Sequence, residues 1–355
     1  MKNRSVVIDL LRIVSIIGVV GNHLMYPVSS RSDFFGGTSW WLAFMIYTLS
    51  LVAVPSFIMI SGYLLIDRID SIEKNFHRTI SKLVVPLIFW FGFYLGWKNK
   101  FRSVSFSITE IVNFILSGNM FIFYFLVILS GLYLLLPILQ LVARHGSKKL
   151  HYIILFGSFM VTWIMGFTHY FANLSGSVTS LATWWLPFFS YFWWGFMVKK
   201  KYFQSDIKFL LLFISWVIFT IVIGLLGYNL NAANITLAFK NGIFYWHDYL
   251  SPTVSIMAVG FFTWLITNQK IKKNTFKPRI SGFINNLANL SYGVFLIHMF
   301  VIDYLDIKYG FAIEFIGDNL ISFVTIRPVL TILISFIIIW LISKTPYLRR
   351  LVGIV

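Results

Sequence analysis

No cysteine occurs anywhere in the chain. Disulfides, thiolate nucleophiles, protein-bound acyl thioesters and cysteine-ligated metals are therefore excluded. Acidic residues are scarce too, with 12 Asp and Glu among 355 residues against 29 Lys and Arg. So few carboxylates argue against an oxygen-ligand cage, and no metal site is expected. Charged residues of both signs make up 12% of the chain, half of the roughly 25% found in soluble domains. That is too little to cover a soluble fold of this size. The GxxxxGK[ST] loop, the GxGxxG turn and HExxH are all missing, so phosphate handling by a soluble ATPase or dinucleotide-binding module is excluded.

Apolar residues fill the space that charge leaves. They account for 58% of the chain, with aromatics at 19%, and the mean hydropathy is +0.81. These figures exclude disorder, collagen and coiled coil, and predict an all-α, polytopic integral membrane protein. Ten runs have the length of a spanning helix, at about 6–25, 40–66, 80–97, 119–142, 151–171, 181–198, 207–227, 249–267, 287–306 and 320–343. The second is long enough to tilt or kink at Pro55. With the N-terminus in the cytoplasm, 21 Lys and Arg fall in inner segments, six in outer ones, and Arg12 and Arg327 within spans. This positive-inside bias predicts both termini cytoplasmic and the loop at about 228–248 outside. It also assigns the net charge of +17 to cytoplasmic loops and the lipid bilayer rather than to nucleic acid. The first run is too long, and too interrupted by Arg12, for a cleaved signal peptide. A single membrane-embedded domain over 1–355 is expected, without an appended soluble domain.

Charged and polar residues within spans cost at least about 2.5–3.5 kcal/mol each and mark candidate sites. The first helix carries Asp9, Arg12 and His23. Arg12 and His23 are eleven residues apart, which is three turns plus about 20°, so they share a face with an axial rise of about 16 Å. Snorkelling or pairing with Asp9 also accounts for Arg12, and an interfacial hydrogen bond for His23. The second helix ends Ser61-Gly62-Tyr63, followed by Asp67 and Arg68. A small pair in a bulky run fits helix packing, and it also fits a cleft wall closed by Arg68. In the ninth span Ser291 and His298, seven residues apart, share a face with Tyr292 close by. Nothing in the spacing supplies the third member of a hydrolase triad. Tyr124, Tyr133 and Pro137 in the fourth span read first as packing residues.

Together these segments resemble membrane-bound acyltransferase family 3, inner-membrane enzymes that acylate sugars, polysaccharides and peptidoglycan at the cell surface. Ile8 to Arg12, followed by His23, is similar to the family's arginine, ten residues, histidine signature. Pro55 to Leu65 resembles its proline, bulky run, Ser-Gly-aromatic motif. Phe123 to Leu126, with Tyr133 and Pro137, is similar to the fourth-helix pattern, except that many members carry tryptophan where this chain has Tyr124. Phe188 to Gly195 resembles a later aromatic-glycine segment, and Ser291 to His298 the ninth-helix segment. By length the standalone O-acetyltransferases are the nearest comparison.

The resemblance implies acyl-CoA, most often acetyl-CoA, as cytoplasmic donor substrate, with no permanently bound cofactor. A carbohydrate or glycan precursor would be the acceptor, in the inner (cytoplasmic) membrane. His23 would be general base and Arg12 would meet a donor phosphate or carbonyl, oriented by Asp9. Ser61, Gly62, Tyr63 and Arg68 would line the donor entrance. Tyr124, Ser291, Tyr292 and His298 would line the cavity. Direct transfer and a transient acyl-histidine both remain open, as does the oligomeric state. The rival reading of the residues is a transporter or flippase for a polysaccharide precursor or other sugar. Single cysteines introduced into this cysteine-free chain test the topology. An impermeant thiol reagent applied to intact cells should label position 240 and leave positions 148 and 273 unlabelled.

Overall fold

The computed structural model describes residues 5–31, 34–117, 121–171, 182–204, 206–232, 245–268, 277–310, 320–346 and 348–353. Most of the expected outer loop, position 240 included, and the basic stretch 269–276 lie outside these residues. The described residues are helical throughout, joined by short turns, and no strand occurs among them. This is an all-α, multi-pass membrane protein. Seven helical stretches among the described residues are long and apolar enough to cross a bilayer.

Proline sets where the long stretches bend. Helix α1 (Val6–Ser29) is followed by α2 (Thr38–Ser50) and α3 (Ala53–Leu65), which together form the long second span. The turn between α2 and α3 falls at residues 51–52, not at Pro55. Proline removes the hydrogen bond to the carbonyl four residues earlier and its ring crowds that carbonyl, so the disturbance appears upstream. The same rule places a π-helical stretch at Ile80–Val84, ahead of Pro86, between α4 (Ile72–Thr79) and α5 (Val85–Arg102). A short apolar helix, α6 (Ile108–Ser117), precedes the fourth span. That span is broken into α7 (Tyr124–Leu134) and α8 (Leu136–His145), bent by 51° ahead of Pro137.

The remaining helices are α9 (Lys148–Phe171), α10 (Phe189–Lys199), α11 (Asp206–Ala232), α12 (Pro252–Thr267), α13 (Pro278–Tyr309), α14 (Leu320–Ser343) and the short α15 (Leu348–Leu351). Two of the ten expected spans are shorter than a bilayer requires. Helix α10 has 11 residues after a 3₁₀ turn, and α12 has 16. Every residue from Ser190 to Val198 of α10 is buried, so protein rather than lipid surrounds it and bilayer thickness does not fix its length. Helix α11 is the opposite case. Only 11% of its apolar window is buried, and Ile207, Leu211, Ile214, Ile218, Val222 and Leu226 are exposed at helical spacing. An exposed stripe of this kind is what a lipid-facing helix presents.

The chain divides into two compact units, Met1–Phe57 with Phe203–Lys344 and Ile58–Tyr202 with Thr345–Val355. In the first, α1 packs against α2, α13 and α14, and α11 packs along α12. Its core includes Val20, Leu24, Met25, Val28, Ala43, Ile302, Phe323 and Val324. In the second, α3 and α10 cross at paired glycines. A Cβ on Gly62 would lie 1.8 Å from the Phe192 carbonyl oxygen, and one on Gly195 would lie 2.0 Å from that of Met59. Backbone meets backbone at both points, so only glycine fits. Gly62→Ala should therefore destabilise the fold, overpacking of this kind costing about 1–3 kcal/mol. Gly92→Ala, where an added Cβ meets nothing within 4 Å, should leave the melting temperature in detergent unchanged or raised. Equal melting temperatures for the two variants would contradict the crossing.

Candidate functional site

In the first unit, α1 carries Asp9, Arg12 and His23. Asp9 is 3% exposed, and the Arg12 guanidinium stands 4.0 Å from its carboxylate. At that distance the pair is an ion pair rather than a short hydrogen bond, and it fixes the direction of Arg12 from one turn below. His23 lies eleven residues further on. Its ring packs against His298 of α13, with centroids 5.3 Å apart and planes at 40°. The expected cavity residues Ser291 and His298 are both buried, and Tyr292 is half-buried.

Their hydrogen bonds separate them chemically. Ser291 Oγ donates to the Ala288 carbonyl at 2.8 Å, so its proton is spent on its own helix. His298 is 0% exposed, and its Nδ1 lies 2.7 Å from the Phe295 carbonyl. A carbonyl only accepts, so Nδ1 carries the proton and Nε2 bears the lone pair. That Nε2 is buried and has no hydrogen-bond partner in the structure.

One ion pair of this unit was not legible in the sequence. Arg327 of α14, over the Phe323 ring at 4.3 Å, binds Asp306 of α13. The two are 21 residues apart on different helices, and no spacing rule links them. The pair neutralises both charges inside the helix bundle, which is the condition for keeping them there.

The residues expected at the donor entrance lie in the second unit, at the end of α3. Ser61 accepts from the Tyr133 hydroxyl at 3.3 Å, a partner 72 positions away that sequence reading placed in packing. The Tyr63 ring carries the Lys199 ammonium 4.9 Å from its centroid. Arg68 is exposed, and its Nε donates to the Leu64 carbonyl at 2.6 Å, closing the last turn of α3. Its neighbour Asp67 pairs with Lys200 at 2.6 Å. Gly62 has its open side filled by the Phe192 carbonyl. The helix crossing accounts for the glycine at this position.

Tyr124 stacks at a tilt on Trp184 at 5.5 Å. It lies nine residues from Tyr133 along the bent fourth span, about 13 Å by helical rise, so it does not join Ser61. Beyond α3, Asp70 receives Lys74 and Arg78, each at 2.7 Å. The hydrogen bond from Lys74, then that from Arg78, holds its carboxyl below the usual carboxylate range. Asn75 donates to Gln140, which donates on to the Leu65 carbonyl, so the segment after α3 is tied to α8.

Helices of spanning length, with a half-buried histidine against a buried one and an arginine on the same helix stripe, define the class as a membrane protein with a built polar site. Comparison with known families makes the class specific. The chain belongs to membrane-bound acyltransferase family 3, whose acyltransferase domain matches residues 6–343. The match covers nearly the whole chain and both units. It makes the protein a membrane acyltransferase. No curated protein and no solved structure was found to match the chain.

The Arg327–Asp306 pair yields a direct test. Removing one partner of a buried pair leaves an uncompensated charge and costs about 3–5 kcal/mol. Arg327→Met should therefore lose most monodisperse protein in fluorescence size-exclusion, and Arg327→Met with Asp306→Leu should recover it. A double variant no better than the single one would show that charge compensation is not what the pair supplies.

Proposed function

We propose that this acyltransferase moves an acetyl group from cytoplasmic acetyl-CoA to a hydroxyl of an envelope carbohydrate or glycan precursor. The observation that carries the reading is the stripe on α1, with Arg12 two turns into the helix and His23 about 16 Å further along the same face. A pantetheine arm is of that order of length. The charged nucleotide then stays at the cytoplasmic side near Arg12, and the thioester reaches His23.

In this reading Arg12, aimed by Asp9, holds a phosphate or carbonyl of the donor through its planar fork. His23 takes the proton of the acceptor hydroxyl as that oxygen attacks the thioester carbonyl. The carbon–sulfur bond breaks, the CoA thiolate leaves, and the imidazolium returns the proton to it. The products are an O-acetyl ester and free CoA, with His23 regenerated. Direct transfer needs no other nucleophile, in keeping with a chain that has no cysteine.

Two substitutions test these roles. A positioned general base contributes about 10²–10⁴-fold to rate. His23→Gln should insert, fold and bind acetyl-CoA while losing acetylation to that extent, since glutamine keeps hydrogen bonding but takes up no proton near neutrality. Wild-type-like acetylation by His23→Gln would remove His23 as the base. Arg12→Lys keeps the charge and loses the fork, so it should raise the apparent KM for acetyl-CoA more than that for the acceptor. The reverse pattern would move Arg12 to the acceptor.

A further inference from the structure

Among the described residues, eight buried side-chain polar atoms lack a hydrogen-bond partner, and five of them are serine or threonine hydroxyls. Arg327 Nε belongs to a guanidinium already bound to Asp306. Two are histidine nitrogens, His247 Nε2 and His298 Nε2. His247 is enclosed by Tyr47 and Phe44, with its ring against the space beside Gly224. His298 differs because the ring beside it is another titratable imidazole, that of His23.

We propose that His298 is the positioning residue for His23, its Nε2 accepting an N–H of the His23 ring. The inference rests on the reading of His23 as the base. Three observations carry it. First, the Phe295 carbonyl takes the Nδ1 proton of His298, so the lone pair sits on Nε2, at the ring edge remote from its own backbone. Second, that nitrogen is fully buried and has no other partner in the structure. Third, the ring centroids are 5.3 Å apart, so two ring nitrogens turned to face each other across that gap would stand about 3 Å apart, the length of a hydrogen bond.

The chemical consequence follows from the tautomers. If one His23 nitrogen donates to His298, the other must carry the lone pair, and it faces the reacting hydroxyl ready to accept a proton. When His23 becomes imidazolium, the bond to His298 strengthens because its donor is now charged. His298 thus does for His23 what a buried carboxylate does in a triad: it holds the base in one tautomer and one orientation. A neutral acceptor suits a bundle in which each buried charge must be compensated.

The test uses the full chain in detergent with nitrogen-15-labelled histidine, the His23 resonances being assigned by their loss in His23→Gln. The expected wild-type spectrum shows His23 with one bare and one hydrogen-bonded protonated nitrogen. In His298→Leu that pattern should collapse to a mixture of tautomers, and in His298→Gln the amide oxygen should preserve it with a shifted N–H. In acetyl transfer, kcat of His298→Leu should fall about 10–100-fold, less than loss of the base itself. Its KM for acetyl-CoA should stay within a factor of about two, and His298→Gln should keep more than a tenth of the rate.

Unchanged His23 nitrogens in both variants would overturn the pairing, and so would wild-type kcat in His298→Leu. If the leucine variant does not fold, the glutamine variant decides by the same nitrogen shift. If the wild-type protein transfers nothing from acetyl-CoA, the donor assignment fails. The nitrogen spectrum, which needs no donor, still decides the pairing.

Discussion

Hydrocarbon offers no hydrogen-bond partner, so every polar group taken into a bilayer must be satisfied by the protein or be there for a ligand. That constraint orders the rest of this molecule. It makes the described backbone helical, with breaks at proline where neighbouring helices can absorb them. It leaves apolar stripes on α11 facing outward. It also explains why Arg327 occurs within a span only in company with Asp306, and why Asp9 sits one turn from Arg12.

Against that background the histidines of α1 and α13 stand apart. His298 meets the constraint with one nitrogen and not with the other. A lone pair held in a buried site beside a second imidazole is a poor structural device, since it forms no bond that stabilises the bundle. In the proposed pairing it is a good chemical one, because the bond would set which nitrogen of His23 is free to take a proton. Arg12 lies at the other end of the same stripe, where under the proposed function the charged part of a donor would be held without entering the hydrocarbon. The two ends are separated by a rise of about 16 Å, of the order of a pantetheine arm, so in the proposed mechanism one rigid helix would span from nucleotide to reacting carbon.

Much of the fold was legible because its signals are local. Apolar run length marked the spans, and the Arg12–His23 register on one face follows from 100° per residue alone. What was not legible depends on distance in the chain. Tyr133 meets Ser61 across 72 positions, and Arg327 meets Asp306 across 21. The kink of the second span was read at Pro55, whereas the turn lies at residues 51–52, because proline disturbs the carbonyl four residues before it. Gly62 was read both as packing and as donor lining, and only the opposing Phe192 carbonyl separates the two. The length of α10 was misjudged for a related reason. Composition shows that a segment is apolar, not whether lipid or protein surrounds it.

The central claim is that an acyl group held by CoA on one side of the membrane ends as an ester made by this chain. Membrane vesicles of defined orientation, with acetyl-labelled CoA supplied only from outside, test it directly, because CoA does not cross the bilayer. Inside-out vesicles expose the cytoplasmic face and should convert label into carbohydrate ester, and right-side-out vesicles should not. Label entering ester in right-side-out vesicles, or in neither kind, would contradict the account.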